Sequence, residues 1–179
     1  MSSMKMLVGL LSHLKASGGE IETRIRLQKE EFLLGLLCKD MFDIRDFEYH
    51  HFGPYNRGLS ETLQFAVTSE LVDEIDVSPA DRAYTKFRYS LTDEGRNTIH
   101  DIHDIFGNNN DLLDKWAKKL KEYDWRTLEL AATTKFLEIN ENLDPESALQ
   151  EALRLKPKTA ASKNNAKDLL ADLSSSVVT

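Results

Sequence analysis

Residues 71–95, LVDEIDVSPADRAYTKFRYSLTDEG, contain the clearest structural signal in this chain. Two segments rich in β-branched and aromatic residues, 71–77 and 86–91, flank a Ser-Pro-Ala-Asp sequence that is typical of a turn. This pattern predicts a β-hairpin. Thr92 follows the second strand as a good helix N-cap, and the two acidic residues after it suit the positive end of a helix dipole. The stretch therefore predicts strand, turn, strand and helix in that order.

The residues before this hairpin alternate between helical and extended patterns. Apolar residues at helical spacing predict two helices, one over residues 6–16 and one over 23–40. An aromatic segment then predicts a short strand that stops at Gly53-Pro54, because proline cannot donate to a strand ladder. A third helix is predicted over residues 56–69. This order of helix, helix, short strand, helix and hairpin is that of a winged helix-turn-helix.

The residues after the hairpin, 107–173, are helical in their periodicity. Asp144 and Pro145 mark one helix start, as N-cap and first helical residue. This C-terminal helical extension is expected either to pack on the core or to form a dimer interface, since both bury the same apolar stripe. Residues 174–179 lack periodicity and are predicted to be a frayed tail. The predicted fold is mainly α with a small β-hairpin: a winged helix-turn-helix core in residues 1–106 plus this extension.

The composition narrows the class of protein. The 179 residues are 41% apolar and 30% charged, which argues for a globular chain. No apolar run approaches the roughly 20 residues that a membrane span needs. The single cysteine, Cys38, excludes an internal disulfide, and its apolar neighbours predict a buried side chain rather than a nucleophile. Acidic pairs such as Glu30-Glu31 are interpreted as solvated faces. We expect a soluble, cytoplasmic protein.

The distribution of charge argues against nucleic-acid binding as the main role. The net charge is −7, and residues 1–106 carry 12 Lys and Arg against 18 Asp and Glu. The helix that would enter a DNA groove has one basic residue, Arg57, while the candidate wing supplies Arg82, Lys86 and Arg88 among several acids. Phosphate binding depends on Lys and Arg that displace counterions, so a duplex would be contacted mainly by these wing residues. DNA binding is therefore the alternative function.

The sequence contains no motif for catalysis. It has neither a G-x-x-x-x-G-K-[ST] or G-x-G-x-x-G phosphate loop nor a G-x-S-x-G nucleophile elbow. His100 and His103 are spaced to share a helix face, and His50-His51 would have to complete a metal site through the fold. Surface histidines are the favoured interpretation, because a metal needs three or four ligands. The prediction is no enzyme, no catalytic residue, no metal and no cofactor.

The most distinctive local sequence is residues 47–55, FEYHHFGPY, and two interpretations of it stay open. As a recognition surface on a rigid turn, it would bind a partner through His50, His51, Tyr55 and the following Arg57, because Tyr and Arg are frequent interface anchors. As a structural element, its Gly-Pro pair would direct the chain into the third helix while the aromatic rings fill the core.

Short sequences along the chain carry a resemblance to a known family: RIRLQK (24–29), YHHFGPY (49–55), YSLTDEG (89–95), LELAATT (128–134) and Lys156-Pro157. Together with the order of elements, they resemble the uncharacterised bacterial YwgA-like proteins and, more distantly, the Panacea (SocA-like) antitoxin domain. The resemblance implies a bacterial or phage protein without enzymatic activity. It also implies a protein partner, either a toxin neutralised by contact or a regulatory target that the chain serves as an adaptor.

Three hypotheses follow in order of preference. The first is a non-catalytic protein-interaction module with a protein partner, to which a homodimer through the C-terminal helices can be added. The second is a winged-helix transcriptional regulator that binds DNA through Arg82, Lys86 and Arg88. The third is a metal-dependent enzyme built on the histidines. Fold order alone does not separate them, because one fold serves many functions.

Overall fold

The computed structural model describes residues 3–51, 53–101 and 109–177, which form a mainly helical chain with a small antiparallel sheet. This part of the prediction is confirmed. The α-helices of the described residues are α1 (Ser3–Ala16), α2 (Arg24–Gly35), α3 (Arg57–Thr68), α4 (Asp93–Asp101), α5 (Asn109–Lys121), α6 (Trp125–Asn140), α7 (Pro145–Leu155) and α8 (Lys163–Val177). The strands are β1 (Glu20–Glu22), β2 (Glu48–His50), β3 (Gly53–Tyr55), β4 (Val72–Asp76) and β5 (Phe87–Leu91). Within the described residues, 3₁₀ turns lie at Ile44–Asp46 and Pro157–Ser162.

The main sheet has three antiparallel strands in the order β1-β5-β4. The predicted hairpin is present as β4 and β5, with Glu74 opposite Tyr89. Strand β1 was not predicted: it places Ile21 opposite Tyr89 on the other side of β5. Two glycines with positive φ, Gly18 and Gly19, turn the chain from α1 into this strand. A third strand is therefore added from a segment far away in the sequence.

The aromatic segment forms a two-stranded ribbon rather than one strand. The prediction that the strand stops at Gly53-Pro54 is wrong, because Gly53–Tyr55 itself forms β3 and pairs antiparallel with β2. Tyr49 lies opposite Pro54 in this pairing. Proline is tolerated here because both strands of a two-stranded ribbon are edge strands.

Side chains cap the starts of α2, α3 and α7. Thr23 accepts a hydrogen bond from the backbone N–H of the third residue beyond it, and Asn56 does the same for α3. Asp144 caps α7 with Pro145 as its first residue. The end of α2 differs from the prediction, which extended the helix to residue 40. The helix stops at Gly35, and the following segment packs Phe42 and Ile44 closely against this glycine.

The first two helices lie at the centre of the packing. α1 packs against α3 and α5, α2 packs against α6, and both α7 and α8 pack on α6. Large buried side chains at these contacts include Phe32 of α2 and Trp116 of α5. The helix α8 continues to Val177, so residues 174–177, predicted as part of a tail, are helical. Among the described residues, no helix is long and apolar enough to cross a membrane.

Candidate functional site

The ribbon of β2 and β3 brings together three of the four predicted partner-binding residues. The ring of His50 lies 5.5 Å from that of His51 and 5.3 Å from that of Tyr55. Arg57 opens α3 and pairs with Glu61 one turn later at 2.8 Å, with 86% of its side chain exposed. The structure therefore forms an aromatic cluster of His50, His51 and Tyr55, while Arg57 is engaged on its own helix.

Two buried lysines hold the backbone of this ribbon. Lys29 Nζ donates a hydrogen bond of 2.6 Å to the carbonyl of Pro54, and Lys156 Nζ donates one to the carbonyl of His51. The carboxylate of Glu129 lies 3.6 Å from Lys156 Nζ. Burial lowers the pKa of Lys29 to about 7, an effect that nearby Glu129 opposes and Lys156 reinforces. The hydrogen bonds from the two lysines hold the Gly-Pro segment in place, so this segment has a structural role.

Gly53 allows the ribbon to approach α6 closely. Its φ is +83°, a conformation that favours glycine, and a Cβ at this position would lie 2.5 Å from Thr133 Oγ1. The glycine of the distinctive FGPY sequence is thus explained by packing.

The predicted nucleic-acid contacts are all paired with carboxylates. Arg82 Nη1 lies 2.5 Å from Asp76, the last residue of β4. Lys86 Nζ lies 2.5 Å from Glu22, and Arg88 lies 3.4 Å from the same carboxylate. Glu22 belongs to β1, the strand that the sequence did not predict. The hydrogen bonds from Lys86 and Arg88 lower the pKa of Glu22, as expected for a carboxylate held in its charged form.

A buried charged cluster between α1 and α2 was missed in the sequence. His13 Nε2 lies 3.1 Å from Glu30 and its Nδ1 lies 3.5 Å from Glu31, with all three residues at most 3% exposed. Arg26 Nε donates to the other oxygen of Glu30 at 2.7 Å and also bonds to the carbonyls of Leu120 and Tyr123. The interpretation of Glu30-Glu31 as a solvated face is therefore wrong.

The environment of His13 favours its protonated form. Burial alone would lower the pKa of the imidazole, but the hydrogen bonds and charges of Glu30 and Glu31 raise it to about 9. Burial raises the pKa of Glu31, and the interactions with His13 oppose that rise. A sequence signal for this cluster did exist. The polar residues 28–31 stand between apolar residues at Leu27 and Phe32, so α2 has no wholly polar face.

Two cavities follow strand β1, and we name them together the β1 groove. The smaller has a volume of about 240 Å³ and is lined by Ser17, Glu20, Ile21, Glu22, Arg26, Glu30 and Lys121. The larger has a volume of about 700 Å³, and Tyr84, Lys86, Trp125 and Arg126 are among its lining residues. Glu22 and Arg26 line both. Tyr84 and Trp125 are 61% and 43% exposed, so large aromatic surface is open to solvent here.

The histidines predicted for the metal alternative do not converge with other ligands in the described part of the chain. No group of three or more His, Cys, Asp or Glu side chains there could hold a metal ion. His50 and His51 lie on the ribbon and His100 on α4, while His103 falls outside the described residues. Cys38 is fully buried, as predicted, and burial raises the pKa of its thiol to about 11.

No protein family and no curated protein matches this chain. The resemblance to the YwgA-like proteins and the Panacea domain therefore stays a prediction from the sequence.

Proposed function

We propose that this chain is a non-catalytic protein-interaction module built on a winged-helix core. The sheet order β1-β5-β4 supports this core, with the 77–86 connection between β4 and β5 as the wing and α3 in the position of a recognition helix. The role as an antitoxin-like or adaptor protein, with a toxin or a regulatory target as partner, rests on the family resemblance.

The observation that carries the proposal is the pairing of the wing cations. Arg82, Lys86 and Arg88 each face a carboxylate, and Arg57 pairs with Glu61 on α3. Affinity for DNA comes largely from cations that are free to replace counterions around phosphates. Paired cations would have to leave their carboxylates first, which weakens binding and adds repulsion from the acids.

A non-catalytic role is supported by the state of the reactive groups. The thiol of Cys38 is buried with a pKa near 11, so little thiolate exists at neutral pH. The buried His13 is held between two carboxylates. A single buried cysteine also fits the reducing cytoplasm, where we place the protein.

Affinity purification from the native host tests the proposal, with one sample treated with nuclease and one left untreated. We expect one protein in stoichiometric amount from both samples. Recovery of the chain without any protein partner would contradict the proposal.

Titration with a fluorescent DNA duplex at low salt separates the alternative. We expect no saturable binding. Binding that weakens with salt and with replacement of Arg82, Lys86 and Arg88 by Ala would favour the DNA-binding regulator instead. Arg154→Ala, which removes an exposed cation on α7, is the matched control because that residue is remote from the wing.

A further inference from the structure

Strand β1 has one paired side and one free side. The backbone N–H of Thr23 donates to the carbonyl of Phe87, and the carbonyl of Gly19 accepts from Leu91. Since the hydrogen-bonding direction alternates along a strand, residues 19, 21 and 23 face β5. The N–H and C=O groups of Glu20 and Glu22 therefore point away from the sheet. Within the described residues, no other group bonds to them.

We propose that this free edge accepts an extended strand of a partner protein, and that the strand carries carboxylates. The backbone groups of Glu20 and Glu22 would pair with the added strand, as in other cases of β-strand addition. This inference rests on the proposed function and specifies its binding mode.

The β1 groove supplies what such a strand needs beside the backbone pairing. Its larger cavity offers the exposed rings of Tyr84 and Trp125, which are side chains that often anchor interfaces. Its smaller cavity contains the hydroxyl of Ser17, which is buried and has no hydrogen-bond partner. Thr23, between β1 and α2, has a φ of +71°, which is rare for a β-branched residue, and strain of this kind clusters at binding sites.

The charges along the groove favour an added strand with acidic side chains. Glu22 is already paired with Lys86 and Arg88. Lys121 donates only to the carbonyl of Ser17, and Arg126 lies over the ring of Trp125, 4.7 Å from its centroid. Neither Lys121 nor Arg126 has a carboxylate partner within the described residues. Asp124 also lines the larger cavity, but its carboxylate caps α6 by accepting from the backbone N–H groups of Arg126 and Thr127. An acidic strand complements Lys121 and Arg126.

The opposite edge of the sheet, on β4, is the competing site. It is five residues long, but it carries Asp73, Glu74 and Asp76 and would suit a basic strand. Neither cavity of the β1 groove is lined by a residue of β4. The observations therefore favour β1.

Selection from a display library of random linear peptides tests this inference. We expect enriched peptides to be acidic and to bind Glu22→Pro about tenfold more weakly than Glu22→Ala. Both variants lose the Glu22 carboxylate, but only proline removes the outward N–H, and the bonds from β1 to β5 stay. Arg126→Glu should weaken the same peptides, whereas Lys167→Glu on α8 should not. Enrichment of basic peptides, of none, or of peptides that bind the Pro and Ala variants equally would overturn the inference.

Amide hydrogen exchange gives a readout that does not depend on a variant. In the free protein, the amides of Glu20 and Glu22 should exchange fast, while Ile21 and Thr23 are protected. An enriched peptide should slow exchange at Glu20 and Glu22 by at least about tenfold. If affinity purification yields a stoichiometric partner that leaves these two amides unprotected, the strand addition is wrong and the proposed function stands. If it yields no protein partner, the proposed function fails first.

Discussion

Replacement of His13 by glutamine should change how stability depends on pH. The buried imidazole lies between Glu30 and Glu31 and has a pKa of about 9, against an ordinary value of 6.5. The folded state thus holds a proton that the unfolded chain releases near pH 6.5. A raised pKa contributes stability that is fully present below pH 6.5 and is lost as the pH rises through 9.

The two pKa values set the size of this effect. Linkage gives a contribution from His13 of about 3 kcal/mol at pH 7 and under about 1 kcal/mol at pH 9, so about 2 kcal/mol is lost between them. Lys29 acts in the opposite direction, because burial lowers its pKa to about 7 and stability is gained as the pH rises above that value. The wild-type curve alone therefore hides the contribution of His13.

The difference between wild type and His13→Gln isolates the effect, because Lys29 titrates in both proteins. Urea unfolding at constant ionic strength should show the variant less stable at pH 7, and the gap should narrow by about 2 kcal/mol at pH 9. Asn97→Ala, at an exposed residue that does not titrate, should keep a constant gap from wild type. A His13→Gln gap that stays constant or widens with pH would refute the assignment of a protonated His13.

Two further substitutions and one labelling experiment test the packing around Gly95, the burial of Cys38 and the environment of Lys29. In thermal unfolding, Gly95→Ala should destabilise the fold by about 2 kcal/mol or more, because the added Cβ would overlap the backbone carbonyl oxygen of Leu71. The control Asn97→Ala, at an exposed residue of the same helix, should cost under about 0.5 kcal/mol. Cys38 should resist a thiol-specific disulfide reagent in the folded protein and react fully in denaturant, and fast reaction of the native protein would contradict its burial. The contribution of Lys29 to the free energy of unfolding should grow between pH 7 and 10.5, and Lys29→Met should abolish that growth. If the variant shows the same rise with pH as the wild type, another group causes it.

Local patterns were sufficient where the signal lies within a few residues. The hairpin of β4 and β5 was predicted because a turn sequence separates two segments of strand-forming residues. The start of α7 was predicted because an Asp-Pro pair caps a helix. Strand β1 gave no such signal, since Ile21 is one apolar residue between two glutamates. It becomes a strand because β5 pairs with it from more than 60 residues away in the sequence.

The partners of the buried charges of α2 could not be identified from a local pattern. Glu30 finds His13 on α1, and Lys29 finds the carbonyl of Pro54 on the ribbon. The helix is central because α5, α6, β1 and β3 pack against it and His13 of α1 reaches Glu30. Charged residues in a central helix are buried only when distant segments supply their partners, since an unpaired buried charge is costly. A sequence read by local patterns assigns such residues to solvent by default.

Strand β1 links the argument against DNA binding to the argument for a protein partner. On the face of the sheet, the side chains of Glu20 and Glu22 lie beside Arg88, and Glu22 also holds Lys86. These contacts neutralise Lys86 and Arg88, two of the three cations predicted to contact a duplex. At the edge of the sheet, the backbone groups of the same two glutamates remain open beside the β1 groove. One unpredicted strand of three residues thus pairs Lys86 and Arg88 with carboxylates and leaves its outer backbone groups free beside the β1 groove.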